Sequence, residues 1–250
     1  VTEEGLQVTA LPRDRAAWGR LARLITLGRR RAPKGEALIR IADVVEHGAG
    51  MELLLHPPEQ LDGWEHQARR LIHAFGAACA LVMAPGYDGD DAGRFHRLAQ
   101  LATRLGLDPV ASGAPIMHHA RRRRLVDVLS AVRTGCRVDD LGRLAQPNGE
   151  RRLRSEAEML KLFAGHEDAV HRAGEIAARC TFSLDELRYE YPSEIAGNET
   201  PSDRLTRLAH EGLAERYPSG APERVKKMMA HELALIAKLK YEPYFLTVHD

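Results

Sequence analysis

The sequence is poor in the features that mark several common protein classes. Its 250 residues include three cysteines, Cys79, Cys136 and Cys180, which lie far apart and form no Cys-x-x-Cys pair. This spacing argues against a disulfide framework or a zinc ribbon and suits a reducing cytoplasm. No apolar run approaches the roughly eighteen residues of a membrane-spanning helix, and no signal peptide is recognisable. We therefore expect a cytoplasmic protein with no membrane partner.

Charge of one sign is not in excess either. The formal net charge is +1 at pH 7, so any contact with DNA must depend on local clusters of basic residues. Two clusters are present, and arginine's planar fork fits phosphate oxygens. The candidate DNA-binding residues are therefore Arg29, Arg30 and Arg31, with Lys34 beside them, and Arg121, Arg122, Arg123 and Arg124. Runs of charge often form solvated surfaces without a ligand, so this alternative to DNA binding stays open. No aromatic residues interleave with either cluster, which weakens a role in stacking on single-stranded DNA.

Motifs for nucleophilic catalysis and phosphate binding are missing as well. The chain has no Gly-x-Ser-x-Gly and no glycine-rich phosphate loop, so we predict no catalytic residue. The acidic stretch 88–91 lacks the ligand spacing of an EF-hand and is interpreted as a turn before a helix. The adjacent His118 and His119 would point in different directions, which makes a shared metal ion difficult and favours a solvated pair.

Apolar periodicity predicts alternating helices and strands over the first 120 residues. Helices are predicted at 16–30, 61–75 and 91–105, and strands at 52–55, 78–83 and 109–111. Alternation at this spacing implies parallel strand pairing in an α/β layer or barrel.

The rest of the chain is predicted to be mainly helical. A helix at 121–133 has Leu125, Val128, Leu129 and Val132 in register. A capping box, Ser155 with Glu158, precedes a second helix. Thr200 and Pro201 begin a third helix and Pro222 a fourth. The stretch 189–200 is predicted to be a loop, and the boundary between the halves is placed near 118–124.

The last residues bear on the extent of the protein. Residues 244–248 form an aromatic, β-branched run that is typical of a strand, and no turn residues follow it. A terminal strand without a partner would leave apolar surface and backbone groups uncovered. The sequence also starts with Val1 rather than Met. We therefore expect this chain to be an internal piece of a longer protein.

Three ordered blocks carry a family resemblance. Residues 24–36 read Leu-Ile-Thr-Leu-Gly-Arg-Arg-Arg-Ala-Pro-Lys-Gly-Glu, and residues 182–192 read Phe-Ser-Leu-Asp-Glu-Leu-Arg-Tyr-Glu-Tyr-Pro. The third block joins Glu-Leu-Ala-Leu-Ile at 232–236 to Tyr-Phe-Leu-Thr-Val-His-Asp at 244–250. These blocks resemble bacterial C-family DNA polymerases, the relatives of the polymerase III alpha subunit, and the first two resemble the error-prone branch.

The resemblance implies a fold class of α/β followed by mainly α. Residues 1–120 would be the later part of a PHP (polymerase and histidinol phosphatase) domain, a distorted TIM-like barrel that is only partly present here. Residues 121–250 would be the helical start of the polymerase palm, truncated at its C-terminus.

The resemblance also has consequences for metals. PHP domains with phosphoesterase activity hold metals through a late Asp-x-His pair, and here Ala114 and Ile116 stand at those two positions. Neither side chain has a lone pair to donate, so we predict no metal ion bound by this piece. The family's N-terminal His-x-His would fall before Val1. Magnesium would be held by palm aspartates, expected beyond Asp250.

The resemblance implies a DNA-directed DNA polymerase acting in damage-induced translesion synthesis and DNA repair, in which this piece is architectural and inactive alone. Its partners would be primer-template DNA, deoxynucleotides, the sliding clamp and accessory proteins of a mutagenic complex. Two alternatives remain open. One is a PHP-type metal-dependent phosphoesterase, which needs a complete set of metal ligands. The other is a non-enzymatic scaffold that binds DNA or protein.

Overall fold

The computed structural model describes residues 1–187 and 199–249. The chain divides into two compact units, Val1–Glu186 and Leu187–Asp250, and each is described here by itself. The boundary expected near 118–124 lies inside the first unit. The assignment of 1–120 and 121–250 to two polymerase regions stays a prediction.

A four-stranded sheet organises the first unit. Its strands stand in the order β1 (Gln7–Pro12), β2 (Met51–His56), β3 (Cys79–Met83) and β4 (Asp108–Ala111). β2, β3 and β4 run parallel, with Leu53 opposite Cys79 and Val82 opposite Val110. The three predicted strands and their parallel pairing are confirmed. β1, which pairs antiparallel with β2, was not predicted from the sequence.

Seven helices accompany this sheet in the described part of the first unit. They are α1 (Arg15–Arg30), α2 (Ile41–His47), α3 (Trp64–Phe75), α4 (Asp91–Leu105), α5 (Arg123–Thr134), α6 (Glu156–Leu162) and α7 (Glu167–Arg179). The helices predicted at 16–30, 61–75, 91–105 and 121–133 are confirmed. So is the capping box at the start of α6, where the Ser155 hydroxyl accepts from the Glu158 amide and the Glu158 carboxylate accepts from the Ser155 amide. α2 and α7 were not predicted.

Successive residues of the strands supply cores on opposite faces of the sheet, as the two-residue period of a strand requires. On one face Leu53, Leu55 and Leu81 pack with residues of α1, α3 and α4. On the other face Val82 and Val110 pack with Ile176 of α7. The predicted mixed α/β architecture is therefore confirmed, and the structure adds that helices lie on both faces of the sheet, which is usual for parallel strands.

The helix α5 exposes its apolar side and buries a more polar side, the reverse of the usual arrangement in a globular protein. Its aliphatic stripe is exposed, with relative accessibilities of 48% for Leu125, 43% for Val128, 60% for Leu129 and 74% for Val132. Its buried residues are instead Asp127, Ser130 and Ala131. One carboxylate oxygen of Asp127 accepts a hydrogen bond from the backbone N–H of Gln146 at 2.8 Å. The other oxygen lies 3.5 Å from Nε of Arg123. These contacts fix the rotation of the helix about its axis.

The second unit contains α8 (Pro201–Arg216), α9 (Glu223–Leu239) and α10 (Glu242–His249). The predicted starts of α8 and α9 are confirmed, with Thr200 capping α8 and Pro222 preceding α9. Most of the predicted loop at 189–200 lies outside the described residues.

The strand expected at 244–248 is wrong, because these residues lie in α10. Pro243 in the first helical turn needs no amide partner and has a φ suited to a helix. The Thr247 hydroxyl donates to the Pro243 carbonyl at 2.8 Å, and Leu246 is buried as α10 packs on α8. Tertiary packing thus overrides the β propensity of the sequence.

Candidate nucleic-acid interface

The arginine cluster at 121–124 lies where a short 3-10 turn, Ala120–Arg122, leads into α5. His119 begins the turn, and its Nδ1 accepts from the Arg121 amide at 3.2 Å. All four arginine side chains are exposed. Arg123 faces Asp127, while Arg121, Arg122 and Arg124 form no ion pair with any described residue. The positive end of the α5 dipole adds to the positive charge of this cluster.

The cluster at 29–31 ends α1 and is less available. Arg31 pairs with the buried Asp43, with 2.5 Å between Nη1 and Oδ2. Burial raises the pKa of Asp43, but bonding to Arg31 and the Arg40 amide lowers it by more. Arg29 and Arg30 are exposed, and Arg29 lines an open concavity of about 490 Å³ with Lys34. The negative end of the α1 dipole opposes anion binding here.

The structure gives the two clusters different environments. Among residues 1–187 and 199–249, no hydrogen bond or ion pair joins one cluster to the other. Three arginines of the second cluster are uncommitted and adjacent to a helix start. In the first cluster Arg31 has a structural partner. Arg121, Arg122 and Arg124 thus combine exposure, the lack of an ion pair among the described residues and a position at a helix start.

The carboxyl edge of the sheet carries a polar network that was not foreseen from the sequence. Tyr87 follows β3, and its hydroxyl donates to the Gly113 carbonyl after β4 at 2.9 Å. Asn148 donates to the Tyr87 carbonyl at 2.9 Å. Tyr87 and Ala114 have φ values of 55° and 42°, a region that residues other than glycine rarely occupy. The network therefore connects two segments that each contain a residue with a strained backbone.

Arg154 is the central cation of this edge. Its side chain is 6% exposed and donates to the Tyr87 hydroxyl at 2.7 Å, the Glu150 carbonyl at 2.6 Å and the Glu150 carboxylate at 2.7 Å. Its guanidinium carbon lies 4.9 Å from the Tyr87 ring centroid. Burial raises the pKa of Tyr87, so its hydroxyl stays protonated near neutral pH. Arg151 adds a hydrogen bond to the Ala114 carbonyl at 3.0 Å.

The residues at the expected metal-ligand positions, Ala114 and Ile116, form hydrogen bonds through their own backbone atoms alone. The Ala114 amide donates to the Ser112 hydroxyl at 3.1 Å, and the Ile116 amide to the Arg151 carbonyl at 2.9 Å. Over the described ranges, no group of three or more His, Cys, Asp and Glu side chains is arranged to hold a metal ion. The alanine and isoleucine side chains do not fit a metal centre at this edge.

Two other motifs have the structures that were predicted for them. His118 and His119 are exposed at the start of the 3-10 turn. The acidic stretch 88–91 is a turn before α4, in which the Asp91 carboxylate accepts from the Gly86 amide at 2.7 Å and the Tyr87 amide at 3.1 Å. The carboxylates of Asp88 and Asp91 therefore fix the backbone, whereas the Asp90 carboxylate pairs with Arg97.

Sequence reasoning also missed a buried ion cluster around Glu52 on β2. Glu52 is 1% exposed, and Arg13 and Arg179 place their Nε atoms 2.7 and 2.6 Å from its Oε1. Burial raises the pKa of Glu52, but the hydrogen bonds from Arg179 and Arg13 lower it by more. The only signal in the sequence is one acidic residue beside the three leucines of this strand. This cluster ties β1, β2 and the end of α7 together.

Comparison with known proteins identifies similar chains. Residues 203–250 match the family model described as "Bacterial DNA polymerase III alpha NTPase domain". The chain is 48% identical over 241 residues, 96% of its length, to the error-prone DNA polymerase of Ruegeria pomeroyi. It is 41% identical over 253 residues, 97% of its length, to the error-prone DNA polymerase of Sinorhizobium medicae.

The match covers a small share of these relatives. The chain spans 22% of the length of each of these two proteins. The family-model match lies within α8, α9 and α10 and the residue after them, while the relatives align with nearly the whole chain. In the part of the chain that the structure describes, no helix is long and apolar enough to cross a membrane.

Proposed function

Since this chain is a relative of the error-prone DNA polymerases, we propose that it forms part of a DNA-directed DNA polymerase that copies damaged templates. The observation that carries the proposal is 48% identity to a protein of that name over 96% of this chain. The match of residues 203–250 to a polymerase III alpha family model supports it independently. Translesion synthesis after DNA damage, and with it DNA repair, is the activity that an error-prone polymerase would serve.

Within that polymerase the contribution of this chain is architectural. We assign 1–120 to the later part of a PHP barrel and 121–250 to the helical start of the palm. The parallel strands β2, β3 and β4 with helices on both faces support the first assignment. The family-model match supports the second. Palm carboxylates elsewhere in the polymerase would hold the magnesium ions that assist nucleotide transfer.

Arg121, Arg122 and Arg124 are proposed to bind the phosphate backbone of the primer-template DNA. Their exposure, their lack of ion pairs among the described residues and their position at a helix start all favour phosphate as the ligand. Arg29 and Arg30 form a second, weaker candidate surface. Arg123 and Arg31 are placed outside the DNA-binding set, because each faces an aspartate of its own unit.

The remaining partners follow from the same proposal. Deoxynucleotides are the second substrate, and a sliding clamp with accessory proteins of a mutagenic complex would bring the polymerase to damaged sites. The cytoplasm of a bacterium is where these partners and the chromosome occur, and we place the protein there.

Primer extension by the complete product of the gene that encodes this chain tests the proposal. We expect extension past an abasic site in the presence of magnesium and all four deoxynucleotides, and extension on an undamaged template as the control. A purified, folded product that extends neither primer contradicts the polymerase assignment.

A phosphoesterase assay on the same product addresses the first alternative. With Ala114 and Ile116 at the sheet edge, added manganese or zinc should give no hydrolysis of a phosphate monoester. Metal-dependent hydrolysis without primer extension would favour the phosphoesterase.

A further inference from the structure

The exposed stripe of α5, formed by Leu125, Val128, Leu129 and Val132, belongs to none of the three buried hydrophobic clusters found among the described residues of its unit. Residues spaced by three and four positions lie on one side of a helix, so these four side chains form one continuous apolar surface. A continuous surface of this kind marks an interaction site more often than an isolated exposed leucine does.

The helix cannot cover this stripe by rotating. Asp127 faces inward and accepts from the Gln146 amide at 2.8 Å, and Ser130 and Ala131 pack beside it. Rotation would take that aspartate out of its contact and leave the Gln146 amide without its acceptor. The outward direction of the stripe is therefore built into the first unit, and whatever covers it lies elsewhere.

The charge beside the stripe selects the kind of surface that covers it. Arg121 and Arg124 lie one turn before Leu125 and Val128, and Arg133 lies one turn after Leu129. None of these three arginines forms an ion pair within residues 1–187 and 199–249. With Arg121 and Arg124 assigned to DNA phosphate at one end of the stripe, Arg133 at the other end fits an apolar surface that carries Asp or Glu there.

A second copy of this chain does not meet that requirement. Two α5 helices packed antiparallel would bring Arg124 of one copy towards Arg133 of the other. The only acidic residue of α5 is Asp127, which is buried. Like charges opposed across an interface are unfavourable, so self-association through this stripe is disfavoured.

We infer that the α5 stripe is the docking surface for a part of the polymerase outside these 250 residues. The inference rests on the proposed function. The relatives match this chain almost from end to end, yet it spans only 22% of their length, so a polymerase of their size has ample surface to supply the partner. A partner within the same polypeptide binds at a high effective concentration, which suits a small contact.

Cysteine protection in the complete gene product tests the inference. Val132→Cys and Leu129→Cys are each labelled with a polar maleimide, and modification of the peptide containing each site is followed by mass spectrometry. The exposed Arg69 of α3, as Arg69→Cys, is the matched control. Docking predicts labelling at least tenfold slower at 132 and 129 than at 69.

Equal rates at the three sites would overturn the inference. It would also be overturned if protection disappeared on dilution together with a dimer measured by light scattering, since the partner would then be a second copy. Primer extension is measured on the same samples. Accessible cysteines in an active polymerase defeat the docking inference alone, whereas absence of extension defeats the proposed function.

Discussion

At the scale of single residues, Glu52 is the charge that the fold of the first unit most depends on. A buried carboxylate is costly unless it is paired, and here Arg13 and Arg179 both donate to it. The arginines come from the residue after β1 and the last residue of α7, so one side chain joins distant parts of the chain. The contact to Arg179 spans 127 positions in the sequence.

Glu52→Gln should lower the free energy of unfolding by about 2 kcal/mol, because the hydrogen bonds from Arg13 and Arg179 to Oε1 lose their charge assistance and Arg179 Nη2 loses its acceptor oxygen. Urea unfolding measures this change. Glu59→Gln is the matched control, since Glu59 is exposed and pairs with Arg94 at 3.2 Å. That control should change stability by less than about 0.5 kcal/mol. Equal effects of the two substitutions would contradict the structural role of Glu52.

The same variant gives a pH prediction. The pKa of Glu52 in the folded protein lies below its ordinary value of 4.5. A carboxyl whose pKa is lowered by folding stabilises the fold at pH values above the ordinary pKa, and this contribution is lost as the pH falls through the folded pKa. The stability difference between the parent and Glu52→Gln should be constant from about pH 6 to 8. It should shrink below pH 4.5. A difference that grows on acidification would disprove this assignment.

Arg154→Ala should also lower the free energy of unfolding, by about 2 kcal/mol, because the Tyr87 hydroxyl and the Glu150 carbonyl both lose a charged donor. Arg154→Lys should restore less than half of the loss, since an ammonium lacks the planar fork. Thermal unfolding checks both. Arg137→Ala removes the same charge from an exposed side chain 4.0 Å from Asp139, and it should be nearly neutral.

At the scale of elements, α5 and α10 show where sequence patterns mislead. The spacing of aliphatic residues correctly predicts that α5 is a helix, but not which side of it faces inward. In α10 the aromatic and β-branched residues have strand propensity, and a first-turn proline with packing against α8 produces a helix instead. Periodicity identifies an element more securely than it identifies that element's neighbours.

Two adjacent positions of α5 test its orientation. Ala131 is buried and Val132 is 74% exposed. Ala131→Glu should therefore cost about 3 kcal/mol or more in the free energy of unfolding, since it forces a charge into the packed side of the helix. Val132→Glu should cost less than about 0.5 kcal/mol in the 250-residue chain. Urea unfolding monitored by circular dichroism distinguishes them, and the reverse order would show that the stripe faces the core.

At the scale of the whole molecule, the near-neutral net charge conceals a local concentration of uncommitted arginine. Acidic partners neutralise many basic side chains of the first unit, as Asp43 does for Arg31. Arg121, Arg122 and Arg124 escape this pairing among the described residues and lie together at the start of α5. Binding of DNA through them should depend strongly on salt.

The triple substitution Arg121→Ala, Arg122→Ala and Arg124→Ala in the complete gene product should weaken binding of primer-template DNA at least tenfold. It should also reduce the slope of log affinity against log salt by about 2 to 3, since each phosphate contact contributes about 0.9. Fluorescence anisotropy over a range of salt concentrations measures both. Alanine at Arg15, Arg23 and Arg69, three exposed arginines elsewhere, removes the same charge and should leave the slope unchanged. Equal slopes in the two variants would exclude this cluster as the DNA contact.

Local sequence was enough to predict three of the strands, most of the helices and the capping residues. Each of these follows from periodicity or from a hydrogen bond spanning a few residues, as at Ser155 and Glu158. The candidate arginines were also visible as clusters. The sequence could not show which cluster is better suited to bind phosphate. The ion pair of Arg31 with Asp43, and the lack of one for Arg121 among the described residues, are decided only when the chain folds.

The sequence by itself thus determined the family resemblance, the parallel α/β core and the residue types at the sheet edge. Tertiary structure alone decided the partners of Glu52, the network around Arg154, the outward stripe of α5 and the helical state of residues 244–248. The physical reason is range: propensity and spacing act within a few residues, whereas burial and ion pairing join side chains more than a hundred positions apart.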